Sequence, residues 1–108
     1  MIVNLTPHEL TIYGHSLATK RIPASGTVAR VSTVQEVEPF TVDGENLVRT
    51  TFGEVEGLPA PVAGTWYVVS AMVLSRVTDR PDVVAPDTGP TAERDASGKI
   101  LGVRRFTH

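Results

Sequence analysis

The 108-residue chain has no cysteine. Its absence removes a disulfide framework, a thiolate zinc site and a cysteine nucleophile together, so the fold has to be held by its core. No run of about 18 apolar residues is present to span a bilayer. The opening MIVNLTPHEL has neither the basic nor the apolar stretch of a secretory leader. The expectation is a protein of the cytosol with no membrane partner. Charge of one sign is also lacking: ten Lys and Arg against twelve Asp and Glu leave a net charge of −2. That balance argues against coating long nucleic acid or an anionic membrane, while leaving room for a local basic pocket. Aromatics are scarce at 6%, with a single Trp. The chain shows no internal repeat and no low-complexity tract, and its length suits one domain over residues 1–108.

What is abundant is β-branched. Sixteen Val and thirteen Thr stand against seven Leu, a balance that favours strands. The expected fold is mainly β (α+β): a small single-domain β-sheet or partly open barrel with one short helix. Strands are expected at residues 2–5, 10–13 and 17–22, then over the β-prone stretch 27–37. The Asp43-Gly44 pair marks a tight hairpin turn before a strand at 47–55. These elements together suggest a meander. Pro59, Pro61 and Gly64 make residues 57–64 a loop. Residues 66–69 read as a buried strand opened by Trp66, a core residue on this reading. Ser70 then caps a helix at 71–77 with Met72, Val73 and Val77 near one face. A strand at 83–85, an irregular Pro86-Asp87-Thr88-Gly89-Pro90 loop, and a closing hairpin of 91–95 and 100–106 around Ala96-Ser97-Gly98-Lys99 complete the chain.

Three places can carry chemistry. At Thr6-Pro7-His8-Glu9 a strand ends in a Pro-fixed turn. There His8 is a candidate general base or hydrogen-bond donor to an anion, because imidazoles titrate near neutrality. The plainer alternative has Thr6 capping the turn and His8 satisfying a backbone carbonyl. In the Pro86–Pro90 loop, Thr88 offers a hydroxyl, Gly89 permits close backbone approach, Asp87 adds a carboxylate, and two prolines stiffen the whole. The same residues also make a good turn. The third place is the set of arginines, eight of the ten basic residues, whose forked guanidinium suits phosphate or carboxylate. Residues 34–56 hold six acids and one base, whereas 76–108 hold six bases and five acids, so an anion site belongs in the C-terminal third. Arg76 and Arg80, four apart, would project from one side of a helix toward its end, unless Asp79 and Asp82 neutralise them. Arg94 beside Asp95 has the same two readings. Arg104 and Arg105 fall on opposite faces of a strand, so only one of them faces a pocket. His8, His15 and His108 lack metal-ligand spacing, no GxSxG elbow occurs, and no cofactor motif is present.

The segments NLTPHEL, IPASGTVARV, EVEGLPAPVAGTWYVVSAMV and VAPDTGPTAERDASGKILGVRRF resemble a family of small phage and prophage-associated proteins. Its members open with NLTPH and close with a PDTGP hairpin. The resemblance implies a viral context, which brings in the phage anti-defence proteins that capture or destroy nucleotide signals of immune systems such as Thoeris and CBASS. The preferred expectation is a homo-oligomeric sponge for a nucleotide messenger, ADP-ribose-type or cyclic dinucleotide. Its small-molecule ligand would be held by Thr6, His8, Arg76, Arg80, Asp87, Thr88, Gly89, Arg94 and Arg105. One alternative is a phosphodiesterase-like enzyme with His8 as catalytic acid or base. The other is a virion or assembly protein that uses its sheet edges as an interface.

Overall fold

The computed structural model describes residues 1–14 and 19–108. Among them the elements run β1 (Ile2–Asn4), β2 (Leu10–Tyr13), β3 (Thr19–Ile22), β4 (Arg30–Val42), β5 (Glu45–Glu56), β6 (Trp66–Val68), α1 (Ala71–Leu74), β7 (Val83–Pro86), β8 (Glu93–Arg94), β9 (Ile100–Gly102) and β10 (Phe106–Thr107). The fold is mainly β with one short helix, as the Val and Thr content predicts, and the described residues form no closed barrel. The first two residues of the strand expected at 17–22, and His15, lie outside the described residues.

One four-stranded sheet, in the order β1-β6-β7-β10, organises the body. β6 pairs in parallel with both β1 and β7, and β10 closes antiparallel on β7. The expected meander is therefore corrected. Pro7 and the turn around it stop β1 from continuing into a hairpin with β2. The apolar residues of β1 instead find partners on β6, in the most hydrophobic segment of the chain. β2–β3, β4–β5 and β8–β9 form three separate antiparallel ladders.

The main core cluster lies on one face of the sheet, while Val68 and Val84 on the other face are buried as well. Leu5, Ala29, Tyr67, Val69, Val73 and Val83 are buried together, with Val3, Val31, Val55 and Leu58 at the margin. Strand alternation sends Tyr67 inward and therefore turns Trp66 outward, where it is 50% exposed. Trp66 is not core. The helix is shorter than expected: Ser70 caps it by accepting a hydrogen bond from Val73 N, but it ends at Leu74 with Ser75 as C-cap. Of its expected apolar face only Val73 is buried, and Met72 is 56% exposed. Arg76 and Arg80 consequently follow the helix rather than ride on it. The closing strand is also broken before Phe106. Val103 leaves the β8–β9 ladder to bridge Ile12 of β2 in parallel. Its N–H donates to Thr11 O and its carbonyl accepts from Tyr13 N, so Arg104 and Arg105 fall in a bend and do not alternate on a strand.

β4 starts at Arg30, three residues later than the stretch expected, but runs past Val37 to Val42, and β5 begins earlier than expected at Glu45, so the two meet at Asp43-Gly44. Both residues have positive φ, 50° and 82°, the backbone that a two-residue hairpin turn demands and that Asp-Gly supplies. The base of this hairpin is anchored by Val31 and Val55 against the core. The rest projects as an arm. The radius of gyration is 17.0 Å, against about 13 Å for a globular chain of this length.

Candidate functional site

Asn4 builds the turn that carries His8. Its side chain is buried at the end of β1 and donates to His8 O (2.7 Å) and Ile22 O (3.1 Å). Its Oδ1 accepts from Thr6 N (3.0 Å) and Thr6 Oγ1 (2.6 Å). Thr6 is buried and its hydroxyl is engaged within the turn, with His8 O also in reach at 3.0 Å. Thr6 thus takes the capping role foreseen as the plainer alternative. The backbone carbonyl of His8 is an acceptor, and its imidazole is exposed with no hydrogen-bond partner among the described residues. Sequence reading missed Asn4. The available signal was an Asn placed two residues before Thr-Pro in an apolar strand, the pattern of a side chain that folds back onto its own backbone.

The second motif is held by its own charges. Asp87 Oδ1 accepts from Gly89 N at 3.0 Å, and Oδ2 pairs with Arg105 Nε. The Arg105 guanidinium, followed by the Gly89 N–H, keeps the Asp87 carboxyl below its ordinary range. Arg94 donates to Thr88 O (2.9 Å) and Gly98 O (3.1 Å), tying the loop to the next turn. In that turn Asp95 Oδ1 accepts from Ser97 Oγ, Ser97 N and Lys99 N, and the Ser97 contact leads in lowering its carboxyl. Arg104 pairs with Glu93. Among the described residues the Thr91 hydroxyl is the buried side-chain polar atom with no partner.

The bridge between β2 and Val103 brings the two motifs together. His8 and Thr88 line one cleft of about 290 Å³ with Glu9, Thr11, Pro86 and residues 100–103. Gly102 permits the approach: a Cβ there would sit 2.7 Å from Thr11 O and 2.6 Å from the Tyr13 ring. The lining is an apolar wall with a polar rim. Asp87, Gly89, Arg94 and Arg105 buttress the loop behind it through the contacts above.

Arg76 and Arg80 lie elsewhere, in a cleft of about 420 Å³ at the base of the arm with Phe52, Glu54, Leu58 and Thr78. Arg80 is gripped by both oxygens of Asp82, at 2.9 and 3.0 Å, and donates to Pro59 O at 2.8 Å. The shared hydrogen bond raises Arg80 and lowers Asp82 from their ordinary values. The Arg76 guanidinium instead stacks 3.9 Å over the Phe52 ring and has no carboxylate partner among the described residues.

Two further features were not anticipated. On the sheet face opposite the core, Ile2, Trp66, Val68, Val84 and Phe106, with His108, line an apolar groove of about 380 Å³. Taking Trp66 for a core residue hid this groove. Along the arm, Val34, Val37, Phe40, Val42, Leu47, Val48 and Phe52 are all more than a third exposed. A β-branched run reads as buried strand unless the turn spacing shows that the hairpin is too long for the body. Comparison with known families, curated proteins and solved structures finds no match for the chain.

Proposed function

We propose that this protein is an assembly component, a small β body that joins other copies of itself through the β4–β5 arm. The observation that carries this reading is the arm. A two-stranded hairpin is marginal in water without a further strand or a covering surface. This one extends far past its anchor at Val31 and Val55 with seven large apolar side chains in solvent. The register places Val37, Val48 and Phe52 on one face of the hairpin and Val34, Val42 and Leu47 on the other, and exposed apolar surface in such quantity marks an interaction site. The viral context implied by the NLTPH and PDTGP resemblance suits such a role, in a virion or during its assembly. The test is the mass of the full chain by light scattering across micromolar to submillimolar concentration. Dimers or larger closed assemblies are expected, and a monomer at every concentration overturns the reading.

A second reading is the nucleotide sponge, and the cleft shared by His8 and Thr88 is the observation that favours it. Binding is favoured over cleavage because the His8 imidazole has no carboxylate to orient it among the described residues, as an acid–base pair needs. At about 290 Å³ the cleft sits at the lower edge of small-molecule sites, roughly 300–1,000 Å³, so a cyclic dinucleotide would need a wall from a second copy. A panel of cyclic and linear nucleotides, ADP-ribose types included, is expected to raise the thermal midpoint and be recovered intact after denaturation. New products would replace the sponge by the phosphodiesterase. No shift and no product would remove both.

A further inference from the structure

The charge of the chain is divided between arm and body. The arm, residues 30–56, carries six acids and two bases, a net −4; the remaining residues carry eight bases and six acids, a net +2. An interface of arm upon arm would bring two strongly acidic hairpins together, which like-charge repulsion opposes. Arm upon body is attractive.

The arm presents an anchor at its far end. The β4–β5 register shifts between Val37 and Thr41, so residues 38–40 bulge out of the ladder, and Pro39 lacks the N–H to rejoin it. Phe40 is 56% exposed there, beside Val42 at 53% and Leu47, with Asp43 and Glu45 at the turn. Bulky apolar groups ringed by charge are the composition of an interface anchor. β4, at roughly 3.3 Å per residue over its 13 residues, is about 40 Å long, in a molecule whose longest extent is 54 Å.

The body presents the complementary surface. The groove is apolar, with Ile2, Trp66 and Phe106 as its partly exposed walls and Val68 and Val84 buried beneath the surface; Arg104 and Arg105, which immediately precede Phe106 in the chain, are already paired with Glu93 and Asp87. Among the described residues nothing fills it. We propose that Phe40 and its apolar neighbours at the arm tip of one copy seat in the Trp66 groove of a second copy, an acidic arm meeting a body of net positive charge. This rests on the assembly reading and adds where the arm goes. In a two-fold dimer the exchange is reciprocal, so each contact raises the effective concentration of the other.

Trp66 is the chain's single Trp, so its fluorescence reports the groove directly. Light scattering and Trp66 emission are measured together on the full chain across concentration. Emission is expected to move to the blue as assemblies form. Phe40→Ser is expected to abolish that movement and weaken assembly at least tenfold, with the far-ultraviolet circular dichroism unchanged. A mixture of Phe40→Ser with Trp66→Lys, each defective alone, is expected to recover a heterodimer with one intact seat. Assembly with Trp66 emission indifferent to concentration and to Phe40→Ser overturns the seat while leaving the assembly reading standing. A mixture that recovers nothing, although both variants keep the wild-type circular dichroism, overturns the seat as well. A chain that remains monomeric throughout overturns both.

Discussion

Replacing Asn4 by Ala removes four hydrogen bonds from one buried side chain. The buried Thr6 N–H and the Ile22 carbonyl lose their side-chain partner, while His8 O keeps the Thr6 hydroxyl within 3.0 Å. The expected loss is about 2–3 kcal/mol of unfolding free energy by denaturant titration, in the range for buried groups left unpaired. Gly102→Ala acts by crowding, since its Cβ would meet the Thr11 carbonyl at 2.7 Å and backbone yields less than a side chain. A cost of about 1–3 kcal/mol is expected, with hydrogen exchange accelerated at the Tyr13 and Val103 amides. The candidate site was legible in part at this scale. Residue type alone singled out His8 and Thr88, which do share a cleft. It could not show that Asp87 would hold Arg105 or that Asp82 would hold Arg80, because a guanidinium suits a carboxylate of the same chain as well as it suits a ligand.

Elements differ in how far local chemistry determines them. The Asp43-Gly44 turn was readable because a two-residue hairpin admits few residues at positive φ. Ser70 was readable as a helix cap for a similar reason, since its hydroxyl supplies what the first turn lacks. Where β1 goes was not readable, because pairing with β6 depends on a strand distant in sequence. The end of α1 was missed because Val77 continues the apolar spacing after the backbone has left the helix. Gly44→Val tests how separate the arm is. A β-branched residue at φ 82° is strained, so the arm is expected to become more sensitive to proteolysis near its turn. The body shares only the arm's base, and its unfolding free energy is expected to change by no more than about 0.5 kcal/mol, as for a surface substitution.

For the molecule as a whole, acid should act through a few carboxylates. Asp82, Asp87 and Asp95 are each held below the ordinary value of 3.8 by Arg80, by Arg105 and by Ser97, respectively. An unfolded chain takes up protons at these groups before the folded one does. Their stabilisation is therefore complete above 3.8 and is lost as pH falls through the lower folded values. Thermal midpoints are expected to be insensitive to these groups from neutrality down to about pH 4 and to fall below it. Asp87→Asn is expected to flatten part of that acid limb and to lower the midpoint at neutral pH, since it loses the Arg105 pair. No helix among the described residues is long and apolar enough to cross a membrane. The parallel pairing of β1 with β6 has a consequence in time. During synthesis the arm hairpin closes from neighbours in sequence as soon as both strands have emerged, whereas β1 must wait for β6 and then for β7 behind it. Each nascent chain therefore has the residues of its arm in place long before those of its sheet, and the groove beside Trp66, which needs β6, β7 and Phe106, is among the last surfaces the ribosome can release.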